Sequence, residues 1–407
     1  MNDFTNKLMQ LRWAIKFRRR FRTPCAKPAI ALMVNGMERG GLEQVVMDLY
    51  YGYKARGYRV YIVCATWQID TIKDKLDAVE DVFVYQNDFD ALIQFLWRRD
   101  IRTLHYHFSV FCIRILHLMG FQTLYTMHNL YTFMDDGQIH AYAKKLEAAD
   151  WLVPVAPVVD DYFRERTQYR GKNIKVILDG VNFGHLDGGD EELQIDREQL
   201  GIHQNDIVLG MVASFYHVKH QIGMIGVMER LLERYPNVKL VIMGAYGDVN
   251  YHTQFDKMLA VSPAQSAIIV APFIPHQMMG AFYRRVMDIF VLPSMREGFG
   301  MVSVEAMYCA KPLVLTPTGA GEMLIHQGAG VLADCPYNNL NELSDAEILR
   351  LSALKDAPNR DSLVSAISEI IDHLDEYKLK AEQCRGNALQ YSTDHMVDGY
   401  VKLLKTQ

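Results

Sequence analysis

Apolar residues in this chain fall into short continuous runs, separated by stretches where they recur every three to four positions. The first pattern fits strands buried on both faces, and the second fits helices that cover them. The runs predict strands at 29–34, 59–65, 82–85, 103–107, 122–127, 151–155 and 175–178, with helices at 42–56 and 89–100 between them. A second alternation predicts strands at 207–213, 239–243, 267–270, 289–293 and 312–316. Between the two lies 183–192, rich in glycine and acid, which reads as an interdomain linker. A last helix at about 393–404 carries Met396, Val397, Tyr400, Val401 and Leu404 at core spacing. The fold class is therefore α/β, with two doubly wound parallel sheets. Ligands of such sheets bind beyond the C-terminal ends of the strands, so the chemistry is sought in the loops there.

Residues 1–28 stand apart from this alternation. Lys7, Arg12, Lys16, Arg18, Arg19, Arg20, Arg22 and Lys27 are interleaved with Leu8, Leu11, Trp13, Ile15, Phe17 and Phe21, and Pro24 and Pro28 end the segment. As a helix it has Leu8, Leu11 and Ile15 on one stripe and Trp13, Phe17 and Phe21 on a neighbouring one, a broad apolar surface flanked by arginines. Such a helix suits an anionic membrane surface. The alternative is a basic tail, disordered or folded against the body.

Composition narrows the function classes. The 407 residues suffice for two domains with their own cores, and half are hydrophobic. A net charge of −5 gives no general attraction for nucleic acid. The six cysteines show no C-x2-C pair and no metal-ligand spacing, which fits reduced core residues in a cytoplasmic setting without structural metal. No run of 18 uninterrupted apolar residues exists, so no membrane span is expected. No long apolar core follows the basic residues, as a cleavable signal would require.

Candidate chemistry concentrates in Glu297–Glu305, which directly follows the run ending Leu292-Pro293-Ser294. If Gly298 to Gly300 make the turn, backbone N–H groups near Met301 and Val302 lie at a helix N-terminus that favours an anion. Glu305, about a turn further in, can accept two hydrogen bonds from a diol such as ribose. Upstream, the loop from Asn35 to Gly41 follows the first strand, and Gly40 and Gly41 permit close approach of a phosphate. It is not the dinucleotide pattern, because the glycines do not read G-x-G-x-x-G and the second strand ends Ala65-Thr66-Trp67 without an acid. His128 follows the strand at 122–127, which places its imidazole at the strand's C-terminal end. His105 and His107 alternate on a strand and so share a face. Lys219, after the first strand of the second half, is a flexible point charge suited to a diphosphate. Thr318-Gly319-Ala320-Gly321 turns into a helix carrying Glu322. A glycosidase would need a second carboxylate facing Glu297, and none is evident in the first half.

These segments resemble, in order, the signatures of retaining, nucleotide-sugar-dependent glycosyltransferases of family four, which have the GT-B fold. The E-x7-E motif is matched by Glu297 and Glu305. Gly-Gly-x-Glu is matched by Gly40-Gly41-Leu42-Glu43, His-x-His by His105-Tyr106-His107, Thr-x-His by Thr126-Met127-His128, and Asn-Gly-Val by Asp179-Gly180-Val181. The resemblance runs from about residue 30 to the C-terminus. It implies two Rossmann-like domains facing across a cleft: 29–182 with about 393–407 on the acceptor side, and 193–392 binding the nucleotide sugar. It implies His128, Lys219 and Glu297 as catalytic residues and Gly41, Phe299, Gly300, Met301, Val302, Glu305 and Glu322 as donor-binding. Gly40, Glu43, His107, Ser214 and His217 are weaker candidates. Retention would follow from the leaving phosphate taking the acceptor's proton on the same face, with no essential metal and no cofactor beyond the donor. The family commonly has arginine at the place of Ser214, so His217, Arg296 or backbone donors would have to supply that charge.

The expectation is a transferase moving a hexose-type sugar from a UDP- or GDP-sugar to a glycan or lipid-linked acceptor at the cytoplasmic membrane face, as in bacterial surface polysaccharide assembly. A sugar-nucleotide epimerase of similar shape and a non-catalytic nucleotide-sugar-binding partner are the alternatives.

Overall fold

The computed structural model describes residues 3–25, 28–37, 41–66, 81–188, 195–245 and 247–404, with backbone alone for 3–8. The chain divides into two compact units. One comprises Met1–Asn129, Asp136–Gly180 and Thr393–Gln407, and the other Leu130–Asp135 and Val181–Ser392. That Leu130–Asp135 groups with the second unit has no counterpart in the sequence pattern.

In the first unit, β1 (Ala29–Val34), β2 (Arg59–Cys64), β3 (Val82–Val84), β4 (Ile101–His107), β5 (Gln122–Met127) and β6 (Trp151–Pro154) form one parallel sheet, in the order β3-β2-β1-β4-β5-β6. Every position of β1, β4 and β5 is buried, which is why these segments read as unbroken runs. The strand expected at 175–178 does not form. Leu152 donates to Asn173 O, and Lys175 and Ile177 donate to Leu152 O and Pro154 O, but only a single bridge, Leu152↔Ile174, results. The return bond that would continue the ladder has to come from residue 154, and a proline has no N–H to give.

The helix Thr393–Val401 completes this unit. A Cβ on Gly52 would lie 2.4 Å from Val397 Cγ2, so the Val397 side chain packs directly on the bare backbone of Gly52. Arg56 binds both Asp394 and Asp398, and Gln122 Nε2 donates to Leu403 O.

The N-terminal helix Asp3–Arg20 corrects the picture of a broad membrane-facing surface. Its aromatic stripe packs inward, with Phe17 buried and Trp13 and Phe21 partly so. Phe17 is 1% exposed, with ring contacts to Trp13, Phe21, Trp97 and Phe121. Arg18 donates to Leu118 O, and Arg20 lies over Trp97 and pairs with Asp100. The segment is thus part of the first unit, and only Leu11 (57%) and Ile15 (61%) of its described apolar residues are strongly exposed.

The second unit repeats the architecture. β7 (Ile207–Val212), β8 (Val238–Met243), β9 (Ile268–Val270), β10 (Ile289–Leu292), β11 (Leu313–Leu315) and β12 (Gly330–Leu332) are parallel, in the order β12-β11-β10-β7-β8-β9. β12, a half-buried edge strand of three residues that opens on Gly330, is absent from the sequence reading. The expected linker is partly structure: Phe183 stacks on Tyr308 at 4.3 Å, and Leu186 O accepts from Arg284. Residues 189–192 of that stretch lie outside the described ones.

Phe17→Ala is expected to destabilise the first unit by about 3–5 kcal/mol in denaturant unfolding, while Leu11→Ala stays within about 0.5 kcal/mol. Equal effects would show that the helix does not pack as seen.

Candidate functional site

Strand order in the second unit reverses between β7 and β10. β7 is followed by β8 on one side and β10 by β11 on the other, so the loops leaving their C-terminal ends diverge and open a crevice. Lys219 and Glu297 come from these two loops. Lys219 Nζ lies 2.5 Å from Glu297 Oε1, and the same oxygen accepts from Ser294 Oγ at 2.6 Å. The lysine reaches its place through the single 3-10 turn His217–Lys219, closed by His220 at φ +65. Both side chains keep some exposure, 22% and 12%, so the pair is anchored and still open to a ligand.

Beyond Glu297, the helix Met301–Tyr308 starts at Gly300, whose φ of +93 suits glycine and whose side is uncapped. The first amides at Met301 and Val302 are therefore left for solvent or an anion, with the helix dipole adding to the attraction. Gly319, at φ +56, lies under the loop. A Cβ there would stand 2.4 Å from Phe299 O and 2.8 Å from Glu297 Cβ. Ala320 N donates to Phe299 O at 2.8 Å, so the 318–321 turn supports the Glu297 loop. Glu322 itself is exposed on the following short helix. Phe299 is 3% exposed with its ring against Tyr391, so its contribution to a ligand is confined to backbone.

Glu305 is buried, and its Oε2 accepts from Tyr283 Oη at 2.9 Å. Burial and the Glu305 charge hold the Tyr283 phenol well above its ordinary value, so it stays a donor. Glu305 Oε1 faces His276 Nε2 at 3.7 Å, and the His276 ring lies 4.0 Å from that of His185. Burial, then His276, lowers the His185 imidazole to about 4, against the pull of Glu305. Sequence reasoning missed Tyr283, His276 and His185; spacing offered no signal for them.

The two cations proposed to replace the missing arginine are engaged elsewhere. His217 Nδ1 bonds Ser352 Oγ at 2.9 Å and its Nε2 faces Asp248 at 3.2 Å. Arg296 binds Asp345 at 2.8 Å and Thr132. Ser214 is exposed with no charge to offer. Of the three options, backbone donors are the ones left to assist Lys219.

In the first unit, β4 and β5 bring three histidines together. His105 bonds Tyr53 Oη at 3.2 Å and Thr126 Oγ1 at 2.7 Å, and Thr126 in turn bonds Tyr400 Oη at 2.8 Å. His107 Nδ1 meets His128 Nε2 at 2.8 Å, so one nitrogen of His128 is fixed and Nδ1 is the one left for a ligand. Burial lowers His105 and His128 to about 3 and His107 well below its ordinary value. All three are neutral at pH 7. Asp179 moves the other way, raised to about 8 by burial and then by Asp48. Gly41 and Glu43 open the helix Gly41–Ala55 after β1, and Gly40 lies outside the described residues.

Two family models match the chain: Glycosyltransferase Family 4 over residues 39–184 and Glycosyl transferases group 1 over residues 193–369. The chain belongs to this glycosyltransferase family. Among curated relatives, a D-inositol 3-phosphate glycosyltransferase of Corynebacterium jeikeium is 29% identical over 168 residues, 40% of each chain. An uncharacterized glycosyltransferase of Methanocaldococcus jannaschii is 44% identical over 72 residues, 17% of this chain and 20% of that one. The matched segments thus span well under half the length of these relatives. Solved structures agree over nearly the whole fold. HepE of Anabaena, in complex with UDP and glucose, superposes with a TM-score of 0.71 at 16% identity, covering 92% of this chain and 98% of that one. WaaG, a glycosyltransferase involved in lipopolysaccharide biosynthesis, gives 0.65 at 14%, covering 93% and 100%. The two Rossmann-like units are those of the GT-B fold.

The buried histidines of this glycosyltransferase make its stability pH-dependent. Each titrates near ~6.5 when unfolded, so the unfolded chain binds more protons below that pH. Their contribution is present above about 6.5 and is lost as pH falls toward their folded values. Asp179 opposes them, its contribution being full below about 4 and lost as pH rises through about 8. Between about pH 6.5 and 5, His105→Gln is expected to flatten the fall in urea-measured stability by up to about 1.4 kcal/mol per pH unit. An unchanged slope would mean that His105 is not neutral in the fold.

Proposed function

We propose that the protein is a retaining transferase that moves a hexose-type sugar from a UDP- or GDP-sugar to a glycan or lipid-linked acceptor, without an essential metal. The observation that carries this reading is the Lys219–Glu297–Ser294 cluster at the β7/β10 reversal, beside the uncapped start of Met301–Tyr308. Negative charge grows on the diphosphate as the sugar's C1 separates from it, and pre-placed donors aimed at those oxygens lower the barrier. Lys219 and the first helical amides serve that role, Glu305 holds the ribose diol, and Glu297 orients Lys219 and meets the sugar end. In the first unit, His128 Nδ1 is the group proposed to meet a sugar hydroxyl, as the family resemblance implies. The acceptor oxygen bonds C1, the C1–phosphate oxygen bond breaks, and the acceptor proton passes to the leaving phosphate on the same face.

The nucleotide-sugar complex of a structural neighbour supports a donor of this class for this chain. A panel of UDP- and GDP-sugars is expected to include one that raises the melting temperature in proportion to its concentration. With that donor and an acceptor, Lys219→Ala is expected to lower turnover about 100- to 1,000-fold. Production of an altered nucleotide sugar without any acceptor would instead establish the epimerase. Stabilisation by a donor with no transfer, and a cellular role untouched by Lys219→Ala, would establish the binding partner.

The acceptor belongs to surface polysaccharide assembly on the cytoplasmic membrane face in this reading, and the membrane contact is narrower than the sequence suggested. Leu11, Ile15 and Leu118 (56% exposed) provide the apolar part, with Arg12, Lys16 and Arg19 beside it. Deleting 1–27 would uncover the core around Phe17, so point variants are the cleaner probe. Leu11→Asp with Ile15→Asp is expected to abolish flotation with anionic vesicles while leaving donor binding intact. Undiminished flotation of the double variant would remove the membrane clause.

A further inference from the structure

Glu305 stands at the meeting point of two histidines that the transfer chemistry does not use. His185, His276 and Glu305 each offer one ligand atom, and these atoms all lie within 4.8 Å of one another. We propose that these three side chains form a site for a zinc-class divalent ion, and that an ion held there excludes the ribose of the donor. The exclusion rests on the transferase reading; the site does not.

The three ligands differ in how firmly they are held. Glu305 is fixed, because its Oε2 accepts from Tyr283, which leaves Oε1 turned toward His276. An outer hydrogen bond of this kind orients a ligating carboxylate. His185 ends the 3-10 turn Phe183–His185, and Phe183 stacks on Tyr308, which shares a helix with Glu305. Two ligands thus sit on segments anchored to each other. His185 Nε2 is buried without a hydrogen-bond partner among the described residues, an arrangement that costs stability unless something fills it. His276 is the exposed member, with its side chain 48% exposed. Metal–ligand bonds of about 2.0–2.2 Å require the donor atoms to draw closer than they now stand, and His276 can supply that movement.

The donor set selects the ion. Two imidazoles and one carboxylate suit zinc and its neighbours rather than magnesium or calcium, which take oxygen ligands. Three protein ligands leave a coordination position open, so the ion would carry water at the crevice. Because it would occupy the carboxylate proposed to accept the ribose hydroxyls, metal and donor cannot both use Glu305. The site therefore works as a brake on donor binding, not as part of the transfer step.

The test uses the full chain and titrates zinc, then cobalt as a spectroscopic reporter, into wild type, His185→Ala and His276→Ala. One equivalent should bind wild type with a cobalt spectrum free of thiolate charge transfer, which separates this site from the six cysteines. Each variant should weaken that binding by more than the ~10–100-fold that outer-ligand changes alone cost. Since His276 is exposed, its replacement leaves the packing intact and guards against a folding artefact. Zinc should also weaken UDP- or GDP-sugar binding to wild type and not to His276→Ala. Absence of binding, an affinity in either variant equal to that of wild type, or simultaneous binding of metal and donor to wild type would overturn the proposal. If no nucleotide sugar binds at all, the transferase reading fails while the direct titration still decides the site.

Discussion

The reversal of strand order beside β7 is the constraint from which the second unit's chemistry follows. β7 and β10 pair only through Ile289↔Leu209 and Phe290↔Gly210, and a Cβ on Gly210 would stand 2.6 Å from Met287 Sδ. That glycine lets the segment entering β10 close over β7. The closeness of the two strands then brings Lys219 and Glu297 together although they are 78 positions apart. No other arrangement of a parallel sheet would leave two diverging loops at that spot. The ion pair is a consequence of topology first and of side-chain choice second.

The first unit manages polarity by a different route. Its β4 and β5 place histidine, threonine and tyrosine where apolar residues would be expected, and it satisfies most of them with one another. A low dielectric keeps these imidazoles neutral and makes their hydrogen bonds directional. His128 is thereby held by a neighbour that is itself fully buried, whereas Lys219 is held by a charge. Two side-chain clusters on similar sheets are ordered by opposite physical means.

Much of this was legible in the amino-acid sequence. Strands buried on both faces leave unbroken apolar runs, so β1 and β5 were located to the residue. The Glu297 loop and Lys219 were singled out by their places after strands together with the family resemblance, and the structure brings the two side chains together. Less legible was anything decided by partners distant in sequence. Residues 175–178 have the composition of a strand, and the missing N–H of Pro154 stops them from pairing as one. The amphipathic pattern of 3–20 gave a helix correctly, but whether its aromatic stripe faces lipid or Trp97 is a matter of what packs nearby. His217 and Arg296 looked available as cations until Asp248 and Asp345 were seen beside them. Tyr283, His276 and His185 come from stretches whose periodicity marks ordinary helix and turn.

The helix Thr393–Val401 carries a consequence for biosynthesis. Tyr400 closes the hydrogen-bond chain through Thr126 to His105, and Val397 fills the face of Gly52, yet both are translated after the whole second unit. A ribosome-bound chain therefore exposes an unfinished surface along Gly41–Ala55 while the later unit, nearly contiguous, can already close. Domains usually mature in the order in which they emerge. Here the earlier half is the later one to be completed, which leaves its unsealed helix as the stretch most in need of protection in the nascent chain.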